Sequence, residues 1–319
     1  MEDSLLGWTV GPSRRGKNGL YLSSREGIRS PQVGIAYSEA QGLPRIAIVG
    51  DSFTFGLEVP FKSTWGKKLE EEFPFAIQVL NFGVDGYGVD QAYLRYHRDV
   101  RPWHPDVVIL GFINHDLIRT MVVYPFVSLP EWALRFSKPR VTLAGGRLEL
   151  LTTSVQTPET LFSANSVAEL PHIEYTPNYD REAWEYKWFH RSYLVRLILG
   201  CIPRWSDPSP HESDDNIAAV NTEILGAFAS EAIADGTIPY IVYFPDREDF
   251  AGRKRSGRDL VLSALRQKQL QHEDLTPCMH RVDYHDLLIE GNYHYSPKGN
   301  AVAAECLIQL LRNGFARKT

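Results

Sequence analysis

Hydrophobic and polar positions along this 319-residue chain switch repeatedly between two patterns. Short, largely apolar stretches occur at 45–49, 77–81, 106–112 and 238–244. Between and after them, apolar residues recur at helical spacing near 64–73, 89–99, 214–235 and 257–272. A further run at 280–285 predicts a fifth strand, and residues 301–311 an amphipathic final helix. Short runs that are apolar on both faces mark parallel strands covered on both sides. The alternation therefore predicts an α/β fold with about five parallel strands, right-handed crossovers and helices on both faces. It does not give the strand order.

Two stretches stand outside that rhythm. Residues 1–43 are rich in Gly, Ser and Arg, with β-like pieces around 19–22, and predict a lead-in that wraps the domain edge. Residues 120–213 form a large insertion after the third strand. It contains two alternating runs around Gly145-Gly146, a hairpin signal. It then carries Tyr175, Tyr179, Trp184, Tyr186, Trp188, Phe189 and Tyr193. Their spacing predicts the packing face of a helix running to about Leu199, with one or two rings free to line a cleft and stack on sugar. Because the insertion follows the third strand end so closely, it is expected to overhang that end as a lid or cap. The resulting division is 1–43, a main domain of 44–119 with 214–319, and the inserted 120–213.

Candidate chemistry sits where apolar runs end. The first run passes directly into Gly50-Asp51-Ser52-Phe53-Thr54-Phe55-Gly56, which places a serine hydroxyl just past a buried strand. Open α/β sheets keep their ligand crevices there. If a helix opens at Phe53, Ser52 lies at its positive end, where developing negative charge is stabilised. The second run ends in Asn81-Phe82-Gly83-Val84-Asp85-Gly86-Tyr87-Gly88, whose glycines let a backbone N–H approach a ligand closely. The third ends in Gly111-Phe112-Ile113-Asn114-His115-Asp116. Near the C-terminus, His294-Tyr295-Ser296-Pro297-Lys298-Gly299-Asn300 precedes the final helix, with Ser296 and Pro297 a suitable cap and first-turn pair.

These four blocks, in this order, resemble those of the SGNH, or GDSL, hydrolases. The resemblance covers roughly 44–119 and 236–313. It implies a flavodoxin-like three-layer α/β/α fold and a serine esterase working through an acyl-enzyme. Ser52 then corresponds to the nucleophile, His294 to the general base, and Gly86 and Asn114 to oxyanion donors beside the Ser52 N–H. The chain departs from the family at two places. Phe112 stands where a glycine is usual, and is expected to narrow the site or redirect the loop, with His115 adding a second imidazole beside the pocket. Gly291 stands where an aspartate normally orients the histidine. Glu290 is the nearest replacement; Asp283, Asp286, or a Ser–His dyad helped by a backbone carbonyl are the alternatives. Gly7-Trp8 and Arg25-Glu26-Gly27-Ile28-Arg29 resemble the lead-in of a bacterial subgroup linked to surface polysaccharide. An O-acyl carbohydrate, or another small-molecule ester, is therefore the implied substrate. O-acyl transfer to a glycan, or glycan binding on a weakened hydrolase scaffold, are alternative outcomes.

Composition narrows the rest. Hydrophobic residues at 43%, charged residues at 23% and a net charge of -5 describe an ordinary globular enzyme and give no reason to expect nucleic acid. The basic run 253–258 reads as a solvated loop. Three cysteines without Cys-x-x-Cys spacing predict buried thiols rather than a disulfide framework or structural zinc. His280, Asp283, His285 and Asp286 do not share one strand face, so no metal is expected, nor any cofactor. An acidic start and the lack of an 18-residue apolar run predict neither a signal peptide nor a membrane span. The compartment stays open between a cytoplasmic protein and a trimmed or anchored extracytoplasmic ectodomain.

Overall fold

A computed structural model describes residues 1–315 apart from 17–18, 38–41, 129–135, 152–157, 165, 178 and 201–211. Five strands form one parallel sheet: β1 (Arg45–Val49), β2 (Gln78–Asn81), β3 (Val107–Phe112), β4 (Ile238–Tyr243) and β5 (His272–Asp274). Their spatial order is β2-β1-β3-β4-β5, the flavodoxin-like arrangement, with its switch point between β1 and β3.

The two-residue period of the strands sorts the core into two layers. Ala47, Val49, Val108, Leu110, Ile241 and Tyr243 pack on one face with residues of α3 (Val89–Arg95), α5 (Asp214–Ala234) and α6 (Ser256–Gln267). Ile46, Ile48, Val107, Ile109, Tyr240 and Val242 pack on the other, with α2 (Trp65–Glu72) and α7 (Pro297–Phe315). The short helices α1 (Ser52–Phe55) and α4 (Asn114–Thr120) follow β1 and β3. Helix α5 is long and apolar enough to cross a membrane by composition. Ten of its residues, from Ile217 to Ala232, are instead buried in the protein.

The fifth strand lies at 272–274, not at the expected 280–285. His272, Glu273 and Asp274 are polar and only half-buried on the sheet edge, so they carry no apolar run to read. The segment 280–285 instead links two single helical turns, Thr276–Met279 and Tyr284–Leu287, and begins the second. Cys278 and Cys306 form a disulfide, against the expectation of free thiols. Local spacing could not reveal it, because it joins a short turn to the middle of α7. It closes the segment that carries His294.

The lead-in braces the C-terminal end of the sheet. The Arg29 N–H donates to Asn81 O at 3.1 Å, extending the β2 edge. Its buried guanidinium donates to Val59 O at 2.7 Å and lies over the rings of Tyr21 and Phe55. Trp8 Nε1 donates to Asp85 O at 2.8 Å, and Tyr87 Oη donates to Trp8 O at 2.6 Å. In the insertion, the expected hairpin pairs Arg140–Ala144 with Arg147–Leu151, and Val141 joins the core under α5. The aromatic run departs from one helix: Arg181–Trp184, Trp188–Arg191 and Tyr193–Gly200 are three separate short pieces. Tyr179 and Trp184 pack against a small core of Val123, Tyr124, Val127, Leu170 and Ile173, whereas Tyr186, Trp188 and Tyr193 are exposed.

Candidate active site

The register of β1 with both neighbours aligns three strand ends. Ile48 lies opposite Asn81 and Ile109, and Val49 opposite Leu110. The loops that follow, bearing Ser52, Gly86 and Asn114, therefore leave the sheet side by side. Asp51 Oδ1 accepts the Phe53 N–H at 2.9 Å and starts α1, so Ser52 is the first helical residue. Asn81 stitches the second loop to the first: its Nδ2 donates to Thr54 O at 2.9 Å and its Oδ1 accepts the Gly83 N–H at 2.9 Å. Gly83 has no room for a side chain, since a Cβ would stand 2.4 Å from the Phe55 nitrogen. The Val84 N–H closes the junction onto Gly50 O at 3.0 Å.

His294 reaches this point from the other end of the chain. Its loop is set by the Ile289 N–H donating to His294 O at 3.0 Å and the Ser296 N–H donating to Leu287 O at 2.8 Å. Ser296 Oγ accepts the Gly299 N–H at 3.1 Å, the expected cap of α7. Asn300 ties the same loop to α2, accepting the Trp65 N–H at 3.0 Å and donating to Tyr295 O at 3.2 Å. The imidazole is 5.4 Å from the Phe53 ring, centroid to centroid.

Two hydrogen bonds complete a relay. His294 Nε2 lies 3.0 Å from Ser52 Oγ, and His294 Nδ1 lies 3.1 Å from Glu58 Oε2. With the Nδ1 proton donated to the carboxylate, Nε2 is free to accept the serine proton. Ser52 is 2% exposed, while the His294 and Glu58 side chains are 18% and 34% exposed.

Glu58, not Glu290, thus faces the imidazole. Glu290 is exposed and lines a groove of about 370 Å³ with Arg247, Tyr284, His285, Leu288 and Asn292. Asp283 caps the turn at 284–287, and Asp286 pairs with Lys298 at 2.6 Å. Reading the neighbourhood of His294 could not find Glu58, which is 236 residues away in sequence. A signal did exist near Ser52, because Glu58 is the only charged residue from Ser52 through Phe61. It also sits at φ +67°, a left-handed backbone that strongly favours glycine. Ser13, His104, His172 and Gln269 share such a backbone, so the contact with His294 and not the φ singles Glu58 out.

Behind Ser52 lies a buried cluster that sequence reading also missed. Arg119 Nη1 donates to Asp116 Oδ1 at 2.7 Å, Asp51 Oδ2 at 3.4 Å and Tyr87 O at 3.5 Å. One cation therefore links the cap of α1, the first turn of α4 and the residue after Gly86. Burial pushes the Asp51 and Asp116 carboxyls up, and the Asp51 charge raises Asp116 further; Arg119 opposes both. Ser52 Oγ is 3.3 Å from Asp51 Oδ2, a second acceptor for its proton.

Gly86 has φ +80°, in the turn after β2, and Asn114 opens α4, nearly buried. Phe112 stays out of the site. It is buried in the core 5.4 Å from Tyr243, because β3 runs through it. His115 is exposed, its Nδ1 4.0 Å from Asp246 Oδ2. Among the described residues, no group of three or more His, Cys, Asp or Glu side chains is gathered to hold a metal ion.

No family model and no curated protein matches the chain. Among solved structures, it is similar to a lipase/acylhydrolase from Enterococcus faecalis, at 11% identity and TM-score 0.46, covering 85% of this chain and 96% of that one. An acetyl xylan esterase gives 10% and 0.45, covering 84% and 99%. A member of the lipolytic protein G-D-S-L family from Veillonella parvula gives 10% and 0.42, covering 84% and 98%. Likenesses this distant carry no weight for chemistry, which rests on the geometry of the site. In the order of its motif blocks, the chain is similar to the G-D-S-L, or SGNH, hydrolases.

Proposed function

We propose that this chain is a serine ester hydrolase of the SGNH type. The carrying observation is the continuous Glu58–His294–Ser52 hydrogen-bond relay at the C-terminal ends of β1 and β3. His294 takes the Ser52 proton as Oγ attacks an ester carbonyl, forming a tetrahedral oxyanion. The Ser52 and Gly86 N–H groups and the Asn114 side-chain amide are its donors. His294 then protonates the leaving alcohol, leaving the acyl group on Ser52. Water, activated by the same imidazole, releases the acid. Glu58 holds the imidazole in the required tautomer and offsets the imidazolium charge in both halves of the cycle.

An acylated carbohydrate is the proposed substrate class. Tyr293, 58% exposed beside His294, offers a ring face for a sugar. The groove beside the 288–292 loop adds Tyr284, together with Arg247, His285, Glu290 and Asn292 as hydrogen-bonding groups.

Hydrolysis of p-nitrophenyl acetate and butyrate, followed by acetate release from O-acetylated glycans, tests this reading. The Ser52→Ala and His294→Ala variants should lose turnover entirely, and acetate should be preferred over butyrate. Wild-type turnover no faster than that of Ser52→Ala on every ester would remove the hydrolase assignment.

A further inference from the structure

Four of the five most exposed large apolar residues of the described chain, Tyr193, Trp188, Leu197 and Leu194, lie in one short stretch of the insertion. Tyr186 is 62% exposed, Trp188 82%, Tyr193 83%, Leu194 65%, Leu197 67% and Ile198 52%. Single exposed hydrophobics are ordinary on protein surfaces; a contiguous set of this size marks an interaction site. None of these six belongs to the insertion's small core, which ends at Trp184.

Helix Tyr193–Gly200 shows how the set is presented. At 100° per residue, Tyr193, Leu194, Leu197 and Ile198 fall within about 140° of one another, forming one broad outward stripe. Val195 and Leu199, on the other side, are half-buried. Arg196 stands at the edge of the stripe with its guanidinium 4.4 Å over the Tyr193 ring. At eight residues the helix is about 12 Å long, far too short to cross a bilayer.

Charge selects the occupant. From Tyr186 to Gly200 there are three cations, Lys187, Arg191 and Arg196, and no carboxylate, in a protein of net charge -5; Lys187 pairs with Glu185, just before the stretch, at 3.2 Å, so Arg191 and Arg196 carry the charge beside the helix. An aliphatic stripe flanked by Trp and Tyr rings, with cations at its margin, is the composition of a helix lying in a lipid headgroup layer. We infer that residues 186–200 dock this protein on the surface of an anionic phospholipid bilayer, with the Tyr193–Gly200 helix lying in the interface. This inference does not depend on the esterase reading, and its failure would leave that reading untouched.

Co-sedimentation with vesicles of phosphatidylcholine containing about a quarter phosphatidylglycerol tests it. The 319-residue chain should sediment with them and bind pure phosphatidylcholine at least tenfold more weakly. The Leu194→Ser/Leu197→Ser/Ile198→Ser variant should lose binding tenfold or more. Arg191→Gln and Arg196→Gln should each cost about fivefold. All variants should keep wild-type circular dichroism and p-nitrophenyl acetate turnover, which separates docking from folding. Brominated lipid should quench the wild type more than Trp188→Phe. No sedimentation of the wild type, or equal sedimentation of the triple-serine variant, would overturn the inference. So would a concentration-dependent dimer abolished by the same serines in the absence of vesicle binding, which would assign the stripe to a second copy.

Discussion

Replacing Glu58 separates its chemical role from its structural cost. The Glu58–His294 contact brings opposite charges to about 4 Å in the transition state. Coulomb's law gives about 1 kcal/mol at that distance in water and about 4 kcal/mol at the effective dielectric of a protein surface. The Glu58 side chain is 34% exposed, so the contact falls between those limits. A loss of about 2–3 kcal/mol lowers kcat/KM roughly 30- to 150-fold. That is well short of the ~10⁴-fold effect of a fully buried triad aspartate. Stability should move the other way in Glu58→Gly. A left-handed non-glycine residue costs roughly 1–2 kcal/mol, and glycine's unfolded-state freedom returns about 0.5–1 kcal/mol of that. The Glu58 N–H bond to Tyr21 Oη is backbone and survives the substitution. Glu58→Gly should therefore melt roughly 1–3 °C higher while losing activity. Steady-state ester hydrolysis and calorimetry on Glu58→Gln, Glu58→Gly and Glu290→Gln read both effects. Glu58→Gln within twofold of wild type, or Glu290→Gln slower than Glu58→Gln, would refute the reasoning.

Asn114→Ala removes one of the proposed oxyanion donors and should lower kcat about 10²- to 10³-fold with KM little changed, measured by ester kinetics. Arg119→Ala leaves Asp51 and Asp116 buried without their cation, and should cost about 3–5 kcal/mol in denaturant unfolding. Because both carboxyls are raised in the folded state, it binds more protons than the unfolded chain. Stability therefore falls as pH rises above 3.8, the ordinary value, through the folded values. The Arg119→Ala loss should accordingly be larger at neutral pH than in mild acid. Reducing the Cys278–Cys306 disulfide, which spans 28 residues, should cost about 3–4 kcal/mol on a chain-entropy account, read as a lower melting temperature with reductant.

The sheet was legible wherever a strand is buried on both faces, because β1, β3 and β4 must be apolar throughout. It was illegible at β5, where an edge strand of His272, Glu273 and Asp274 carries no hydrophobic pattern. Ser52 and Asn114 open the helices that follow β1 and β3, and His294 lies just before α7, so local pattern marks where each stands in the fold. Glu58 and Arg119 were not legible in this way, since each acts through tertiary contacts: Glu58 across 236 residues to His294 and Arg119 across 68 to Asp51. The disulfide eluded a spacing argument for the same reason. The aromatic stretch was misjudged because the chain breaks there into three short pieces, so the spacing of its rings does not place them on one helix face. Trp184 packs inward, and Trp188 and Tyr193 face out.

The most direct test of the Ser52–His294–Glu58 relay is fluorophosphonate labelling followed by intact-mass and peptide analysis. Wild type should take one adduct, on Ser52, and Ser52→Ala none. Labelling should be slowed strongly in His294→Ala, moderately in Glu58→Gln and not at all in Glu290→Gln. An adduct elsewhere, or a Ser52 labelling rate indifferent to both His294 and Glu58, would contradict the account.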